Sequence, residues 1–468
     1  GYTDRSISVR GHAATARCDF DRNVYYRDEP SGHGMLFDSF VTNASIAKQL
    51  ASKSFSNLIG SVKNTLKKSP EANPFGISIA RSVKAFYDTM HDQLDSRLDG
   101  QFGVNVIAAC EKITAQANFI SPESKHVWTV LPPHKKPNVL VIGGTGFIGK
   151  YLVKQLVDTG YGVRVVTRGM SAGNIGLAGL HVELIQGDIA DAAFMDKALE
   201  GIEVVYDLAK AAGSKWDDYY VNDVLVRKNI AERAQKAGVK QFIYTGTIDS
   251  YYSANANEVI TGDTLLDKSM KNRNLYAKSK ATCEALLMEM HKTLGFPVTI
   301  FRPGVVIGKG CPPAHWGVGM FQSESRVQFW GSGENKLPLV LVEDVASALV
   351  LALGRHDIAG KTFLLKDEPL ISGKEYVDIV SKEIGTKLRA EPTPIWKFFI
   401  IDSFKEGAKN LIKHPNRKIP SYRDWDSRSH RAKYDSSKTR EVLGWRPAGT
   451  KDVLVEKGII SAVREFMK

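Results

Sequence analysis

A glycine-rich turn between an apolar run and an amphipathic stretch restricts the fold of this chain more than any other feature. The run NVLVI ends at Ile142, Gly143–Gly149 (GGTGFIG) follows, and Phe147–Thr159 has helical periodicity. Glycines spaced as GxxGxxG let a backbone turn tightly, approach a pyrophosphate and bring a helix close to a strand. The helix N-terminus then offers free N–H groups and a positive dipole end to phosphate. The pattern predicts the first strand–turn–helix unit of a phosphate-binding sheet.

Short apolar runs and helical stretches alternate after this turn. Further strands are expected at 162–167, 182–186, 204–208, 241–245 and 297–302, and helices at 220–237 and 276–294. Such alternation is typical of a parallel sheet with helices on both faces. We therefore expect an α/β fold, in which a Rossmann-type doubly wound parallel sheet over 138–307 precedes a smaller C-terminal substrate domain over 308–468. That second domain is expected to share some sheet and helix elements with the first.

The N-terminal part of the chain is predicted to be a separate α+β partial domain, residues 1–125. Strand-like stretches occur at 6–10 and 14–26, and helical ones at 37–66, 77–98 and 103–116. Prolines between 122 and 137 disfavour helix there. Residues 126–137 are therefore expected to be a linker.

Composition limits the function less than the motifs do. The net charge of +12 comes from 63 basic and 51 acidic residues that are interleaved along the 468 residues, which favours a solvated basic surface and no nucleic-acid partner. The four cysteines form no CxxC pair, so no metal site is expected and a cytoplasmic location is favoured. No apolar run reaches 18 residues, and the chain starts Gly-Tyr-Thr-Asp, so neither a membrane span nor a signal peptide is expected.

Residues at the carboxyl ends of the predicted strands are expected to bind a dinucleotide. An acidic residue after the second strand would bind the ribose of NAD, but Thr167 and Arg168 stand there, and Arg168 could pair with a 2′-phosphate. NADP is therefore favoured over NAD, with Arg168 as a solvated loop residue the alternative. Asp188 is expected to contact adenine, to cap a helix near Ala192, or both. The residues expected at the cofactor are Gly143, Gly144, Thr145, Gly146, Phe147, Ile148, Gly149, Thr167, Arg168, Asp188, Ile189, Leu208, Ala209, Lys210, Lys280 and Pro303.

Tyr276 and Lys280 form a YxxxK pair at the start of the helix that precedes the sixth strand. Residues at i and i+4 share a helix face, and a nearby ammonium favours phenolate, so Lys280 is expected to lower the pKa of Tyr276. A tyrosine tuned in this way can act as general acid or base between an alcohol and a carbonyl. Thr247, just after the fifth strand, is expected to hold the substrate oxygen, with a simple turn residue as the alternative.

The motifs GGTGFIG, FIYTGT, YAKSK, FRPGVVIG and VEDVA, with the tail YDSSKTREVLGWRP, resemble in order those of the extended short-chain dehydrogenases of the epimerase/dehydratase type. The resemblance covers Asn138 to Lys468. It implies that Thr247, Tyr276 and Lys280 are catalytic and that Asn222 holds the lysine through water. The resemblance further implies that Arg302 and Pro303 line the nicotinamide.

Residues 11–26 and 86–113 resemble, more loosely, the last part of the glucose-fructose oxidoreductase type (Gfo/Idh/MocA). The dinucleotide-binding domain and the catalytic site of that family precede this part and are not found in these residues. The resemblance therefore implies a truncated substrate and oligomerisation domain without catalysis.

A basic aromatic stretch, Pro394–Lys413, has apolar residues at helical spacing. A lid helix of the substrate domain is favoured over a helix that touches an anionic membrane. Arg423, Arg428 and Arg431 follow, and they are expected either to clamp a substrate diphosphate or to be surface charges.

The motifs together predict an NAD(P)-dependent oxidoreductase that acts on the hydroxyl or keto group of a nucleotide sugar, as a homodimer. One alternative is an NADP-dependent ketone reductase of the dihydroflavonol or hydroxysteroid type, which Thr167-Arg168 supports. The other is a non-catalytic NADP-sensing protein. Dehydration is not favoured, because Ile248-Asp249 follows Thr247 where a dehydratase of this type carries Asp-Glu.

Overall fold

The structure is a computed structural model of the 468-residue chain. It describes residues 5–11, 14–31, 35–65, 74–89, 99–116, 130–169, 176–211, 213–323, 326–414, 417–447 and 449–467. Two compact units are present, the first formed by Gly1–Ser124 with Ala408–His414 and the second by Lys125–Gly407 with Pro415–Lys468. Among the described residues, no helix has both the length and the apolar character needed to cross a membrane.

The first unit is an α+β arrangement. Its strands β1 (Ser6–Arg10), β2 (Thr15–Asp19) and β3 (Val24–Asp28) form an antiparallel sheet, and its helices are α1 (Met35–Thr65), α2 (Pro74–Thr89) and α3 (Gly100–Gln116). Helix α1 covers the edge of β3, where the side-chain amide of Gln49 exchanges two hydrogen bonds with the backbone of Arg27, at 3.0 and 2.9 Å. A covered edge strand is protected from pairing with other chains.

The second unit is built on a parallel sheet. Its strands are β4 (Val139–Ile142), β5 (Val163–Thr167), β6 (Val182–Gln186), β7 (Val204–Asp207), β8 (Gln241–Thr245), β9 (Val259–Ile260), β10 (Val298–Pro303), β11 (Val305–Ile307), β12 (Gly319–Ser323), β13 (Arg326–Trp330), β14 (Leu339–Leu341), β15 (Thr362–Leu365), β16 (Arg389–Thr393) and β17 (Lys433–Tyr434). Seven of them form the main sheet in the order β15-β10-β8-β7-β4-β5-β6, and every neighbouring pair is parallel. The predicted doubly wound fold is confirmed.

The helices that follow α3 in the chain are α4 (Phe147–Asp158), α5 (Ala192–Ala198), α6 (Trp216–Tyr219), α7 (Val226–Lys236), α8 (Leu275–Leu294), α9 (Val342–Leu351), α10 (Gly373–Glu383), α11 (Ile395–Leu411), α12 (Tyr422–Ser427), α13 (Ser437–Leu443), α14 (Lys451–Val455) and α15 (Ser461–Phe466). Several of them cover the two faces of the main sheet. Helices α4 and α9 pack on one face of the sheet, and α5, α7 and α8 on the other. Both faces are therefore buried, which explains why strands such as VLVI are apolar throughout.

The smaller part of the second unit is formed mainly by residues beyond β10 in sequence, together with β9, which precedes β10. It contains the mixed sheet β12-β13-β16, the pairs β11-β14 and β9-β17, and a core of its own. The seventh strand of the main sheet, β15, comes from the segment predicted as substrate domain and pairs with β10. The sequence predicted only six strands because β15 is separated from β10 by about sixty less regular residues.

Candidate active site

The glycine turn lies between β4 and α4, at the middle of the sheet. Gly143 has a φ of +83°, and a Cβ there would lie 2.9 Å from the backbone N of Ala209. A Cβ on Gly149 would lie 2.1 Å from the carbonyl oxygen of Gly143. Side chains at either position would therefore clash with backbone. The tight turn and the close helix–strand contact expected for these glycines are present.

The turn stands where the strand order reverses, because β4 is flanked by β5 on one side and β7 on the other. Ligands of open α/β sheets bind in the crevice at such a point. Leu208 and Ala209 follow β7 directly, are half-buried and lie against Gly143, while Lys210 is exposed. A backbone cradle next to the N-terminus of α4 fits a dinucleotide pyrophosphate.

The loops after β5 and β6 would border the adenosine end of a dinucleotide. Thr167 is buried and its hydroxyl donates to the carbonyl of Gly169 at 2.8 Å, whereas Arg168 is exposed and forms no ion pair with the described residues. Asp188 is exposed, next to half-buried Ile189, and accepts a hydrogen bond from the N–H of Ala190. The alternative role of Asp188 as a helix cap is wrong, because Asp191 caps α5.

The catalytic residues expected from the sequence do come together. Thr247 lies close enough to the phenol of Tyr276 to lower its pKa, and the Thr247 hydroxyl accepts from the N–H of Asp249 at 3.2 Å. Tyr276 is half-buried at the start of α8, whose first turn is capped by Asn274 through the N–H of Ala277. The cap fixes where the helix begins and thereby where the phenol lies.

Burial raises the pKa of Tyr276 to about 12, and the carboxylate of Asp249 adds to the increase, while Thr247 opposes it. The expectation that Lys280 lowers this pKa below its ordinary value is therefore wrong for the protein alone. A phenol of this kind stays protonated at neutral pH and is an acid rather than a base. Its state favours proton donation to a carbonyl.

Lys280 lies one helical turn beyond Tyr276 and is 2 % exposed. Its ammonium donates to the carbonyls of Ala209, at 3.2 Å, and Thr245, at 3.0 Å, and lies 4.7 Å from the ring centre of Tyr244. Burial and the guanidinium of Arg227 lower the pKa of Lys280. The lysine is thus fixed at the carboxyl ends of β7 and β8, beside the glycine turn.

Asn222 is not joined to Lys280 by any hydrogen bond in the described part of the chain. It is exposed and lies in a π-helical turn, Tyr220–Leu225, between α6 and α7. The next residue, Asp223, is the buried one, and it accepts a hydrogen bond from Ser279 of α8 at 2.5 Å. The extra residue in a π turn changes which side chain faces inward. Asp223 was missed because the sequence does not reveal the helix type.

Asp223 belongs to a buried charged network under the site. Arg227 Nε lies 2.6 Å from Asp207 Oδ2, its Nη2 lies 3.4 Å from Asp223 Oδ1, and all three side chains are at most 1 % exposed. Asp207 Oδ1 also accepts from the N–H of Ala209. Arg227 thereby connects the cofactor side of β7 with the helix that carries Tyr276.

A second network holds the end of β10. The guanidinium of Arg302 donates to Glu284 at 2.8 Å and to the hydroxyl of Tyr251 at 2.5 Å. Pro303, expected at the cofactor, is buried as the last residue of β10 and pairs with Leu365. Arg302 is therefore a structural residue that joins β10 to α8.

The three arginines expected at a substrate diphosphate each contact a carboxylate of this chain. Arg423 pairs with Asp267 at 2.8 Å, Arg428 with Asp424 at 2.8 Å and Arg431 with Asp426 at 2.9 Å. The guanidinium of Arg428 also lies 5.1 to 5.9 Å from the ring centres of Trp425, Trp316 and Trp330. A diphosphate would have to displace these carboxylates, so the ion pairs weigh against the clamp.

Sequence reasoning also missed a cluster beside Tyr276. Buried Arg273 donates to Asp249 at 2.8 Å, to Asp267 at 3.2 Å and to the carbonyl of Tyr251 at 2.6 Å. His430 has a φ of +47°, and its Nδ1 lies 2.9 Å from the hydroxyl oxygen of Tyr434. Burial lowers the pKa of His430 to about 4, so this imidazole is neutral near pH 7. The only sequence signal was Asn274, a preferred cap residue directly before YAKSK.

Comparison with known proteins agrees with this geometry. Residues 139–365 match the family described as NAD dependent epimerase/dehydratase. A 3 beta-hydroxysteroid dehydrogenase/Delta 5→4-isomerase of Mycobacterium tuberculosis is 30 % identical over 181 residues, which are 37 % of this chain and 48 % of that protein. A UDP-glucose 4-epimerase of Vibrio cholerae is 24 % identical over 341 residues, 71 % of this chain and 96 % of that protein.

Solved structures have the same fold. The crystal structure of gox2253 has a TM-score of 0.58 and 22 % identity, and covers 70 % of this chain and 97 % of its own. MoeE5 in complex with UDP-glucose and NAD has a TM-score of 0.53 and 20 % identity, and covers 70 % of this chain and 98 % of its own. The family is described as NAD dependent and the two relatives have the names of enzymes, which agrees with the prediction of an enzyme for the residues that they match. The match begins at residue 139, and the Gfo/Idh/MocA resemblance of residues 1–125 stays a prediction.

Proposed function

We propose that the second unit of this chain, whose residues 139–365 match the family described as NAD dependent epimerase/dehydratase, interconverts a secondary alcohol and a ketone. The observation that carries the proposal is the placement of Thr247, Tyr276 and Lys280 together at the carboxyl edge of the sheet, where Lys280 contacts Ala209 beside the glycine turn. The dinucleotide, when bound, accepts or returns a hydride. The cradle of Gly143, Gly146 and Gly149 would hold its pyrophosphate, and Lys280 its ribose.

In the reducing direction, the carbonyl oxygen of the substrate accepts hydrogen bonds from Thr247 and Tyr276. As the carbonyl carbon gains a hydride, Tyr276 gives its phenolic proton to the oxygen, and the product is the alcohol. With a pKa well above 7, the phenol is protonated at neutral pH and therefore has this proton to give. In the oxidising direction, the Tyr276 phenolate takes the hydroxyl proton, so oxidation requires a higher pH.

The substrate class has two candidates. A nucleotide sugar is supported by relatives whose names include UDP-glucose, such as the Vibrio epimerase. The ion pairs of Arg423, Arg428 and Arg431 favour the second candidate, because they leave no free cation among the three for a diphosphate. That candidate is a ring ketone or alcohol of the hydroxysteroid or dihydroflavonol type, as in the mycobacterial relative.

NADP is proposed over NAD on the strength of exposed Arg168 and the absence of a carboxylate at Thr167.

The homodimer and the cytoplasmic location remain predictions. For the first unit we propose a non-catalytic, oligomerising role of the Gfo/Idh/MocA type. Its three-stranded sheet with exposed Ile7 and Val9 supports an oligomerisation surface.

The test is an activity screen of the full chain with both reduced and both oxidised dinucleotides. Each is combined with UDP-glucose, a 3-ketosteroid, a 3β-hydroxysteroid and a dihydroflavonol, and absorbance at the nicotinamide band is followed. Conversion of UDP-glucose to its epimer needs a separate chromatographic readout, because no net cofactor is consumed. Turnover on a steroid or flavonoid alone supports the second candidate.

Tyr276→Phe distinguishes an enzyme from a non-catalytic sensor. The variant should bind dinucleotide as the parent does and lose about 10²- to 10⁴-fold in turnover. If every substrate is inert while the dinucleotide binds tightly, the sensor explanation is the correct one. Dinucleotide released by denaturation from the purified protein identifies the cofactor directly.

A further inference from the structure

Helix α11 has one face that packs on the rest of the second unit. Ile395 and Phe398 bury their side chains against Trp330, and the Phe398 ring stacks on Trp425 at 5.5 Å between ring centres. Asp402 Oδ2 accepts from the indole N–H of Trp425 at 3.2 Å. The sequence predicted a lid helix of the substrate domain, and this packed face is consistent with that position.

The opposite side of the same helix is exposed and apolar. Trp396 is 51 % exposed, Ile400 42 %, Ile401 66 % and Phe404 77 %. Residues 396, 400 and 404 follow the i, i+4, i+8 spacing of one helix face, and 401 lies next to it. We call these four residues the apolar face of α11. Four large apolar side chains together on one surface indicate a binding site for a partner.

Acidic and basic residues also lie on different sides of α11. The acidic residues of the helix, Asp402 and Glu406, belong to the packed side, and Glu406 is 3 % exposed. Lys397 and Lys405 are exposed beside the apolar face, and Lys397 Nζ lies 5.8 Å from the ring centre of Trp396. In the part of the helix that belongs to the second unit, residues 395–407, the two lysines are thus exposed beside the apolar face and the two acids lie on the packed side. Lysines that border an apolar face complement a surface that is apolar inside and anionic outside.

We propose that the apolar face of α11 binds the surface of an anionic membrane, with the helix axis parallel to the membrane plane. A helix of 17 residues that packs on protein along one side is suited to lie in the interface and not to span it. Trp396 and Phe404 enter the boundary between headgroups and acyl chains, and Lys397 and Lys405 contact lipid phosphates. The inference does not depend on the reaction that the active site performs.

The test is sedimentation of the full chain with vesicles of phosphatidylcholine alone and with about a third phosphatidylserine. The parent should bind the anionic vesicles, and binding should weaken as salt is added, since exposed charges are screened. Ile401→Glu with Phe404→Glu should lower the partition coefficient at least about tenfold, because two apolar contacts are lost. Lys397→Glu with Lys405→Glu should lower binding only to the anionic vesicles.

Leu265→Glu is the matched control, because Leu265 is 76 % exposed in the same unit and lies outside the apolar face. It should bind as the parent does. All of the substituted residues are exposed, so the thermal unfolding of the variants should match that of the parent. Sedimentation velocity without vesicles follows the oligomeric state. The proposal is overturned if the parent ignores anionic vesicles, if the Ile401/Phe404 variant binds them unchanged, or if that variant only dissociates an oligomer.

Discussion

Ser279 of α8 donates a hydrogen bond of 2.5 Å to Asp223 of the π-helical turn, and this bond joins the helix that carries Tyr276 to the buried Arg227 network. Asp223 contributes a negative charge that raises the pKa of both Tyr276 and Lys280. The charge state of the site is therefore set partly by a residue that does not face the substrate.

Asp223→Asn should shift the pH dependence of alcohol oxidation to lower pH. The amide still accepts from Ser279, but the charge that raises the pKa of Tyr276 is gone, so phenolate forms at lower pH. We expect the rising limb of kcat/KM to move to lower pH by a fraction of a pH unit, because burial and Asp249 contribute more to the pKa of Tyr276 than Asp223 does. The unfolding free energy should be about 1–3 kcal/mol lower because Arg227 loses one partner. The measurement is a pH–rate profile with the alcohol that the screen identifies.

Ser279→Ala is the control for Asp223→Asn, because it removes the hydrogen bond and keeps the charge. Its pH profile should coincide with that of the parent, with a stability loss of about 1 kcal/mol. An Asp223→Asn profile that stays in place, or moves to higher pH, would show that Asp223 does not influence the phenol.

Gly149→Ala should destabilise the second unit and abolish dinucleotide binding. The added Cβ would lie 2.1 Å from the carbonyl oxygen of Gly143, so α4 must move away from the turn. We expect a loss of about 3 kcal/mol in the free energy of unfolding, measured by denaturant titration. Gly407→Ala in α11 is the matched control, because a Cβ there meets no atom within 4 Å, and it should stabilise by about 0.5–1 kcal/mol. Equal effects of the two substitutions would contradict the steric explanation.

Arg168→Gln should weaken NADPH binding about tenfold and leave NADH binding unchanged. The guanidinium is exposed at the end of β5, where it can reach a 2′-phosphate, and NADH offers no group for it there. Nicotinamide fluorescence titration gives both dissociation constants. Arg164→Gln serves as a control on the same strand, since Arg164 pairs with Glu183. Loss of both dinucleotides in parallel would instead make Arg168 an adenine-stacking residue.

Asp367→Asn should stabilise the protein at and above neutral pH. Burial, with help from Asp344, raises the pKa of Asp367 from 3.8 to about 8, although Oδ2 accepts from the N–H of Leu341. A carboxyl with a raised folded-state pKa contributes stability that is complete below about pH 4 and is lost as the pH rises to about 8. The loss reaches up to about 6 kcal/mol, since one pKa unit is about 1.4 kcal/mol.

The measurement is the unfolding free energy of parent and Asp367→Asn at a series of pH values between 4 and 9. The asparagine remains neutral, so the difference between the two proteins should grow with pH and level off above pH 8. A constant difference across this range would mean that Asp367 is ionised throughout, and that its partners compensate for burial.

The strand–helix alternation was sufficient to predict the core of the fold. A parallel strand that is buried on both faces is a short apolar run, and six such runs with turn residues between them are visible in the sequence. β15 was left out because nothing local identifies the partner of a strand that returns to the sheet after a long excursion. Gly143 and Gly149 could be predicted because the tight turn brings backbone atoms too close to these positions for any side chain.

The candidate site was predictable where spacing determines geometry and not where packing does. Tyr276 and Lys280 share a helix face at any position in a regular helix, and Thr247 follows a strand end. Asn222 was chosen instead of Asp223 because a regular helix was assumed where the chain forms a π turn. The arginines of the tail were visible as charges, but their carboxylate partners come from distant segments, as with Asp267 for Arg423.

The strand order described above also determines when the site can exist during synthesis. Of the main-sheet strands, β4, β5, β6, β7 and β8 are synthesised first, and these five are neighbours in the finished sheet. The nascent chain can therefore assemble the dinucleotide cradle while α8 is still inside the exit tunnel. The strand β15 that closes the sheet arrives about sixty residues after β10. An emerging chain would thus bind its cofactor before Tyr276 has left the ribosome. Cofactor binding at that stage would stabilise the partly folded chain, so the cofactor concentration should affect the yield of folded protein.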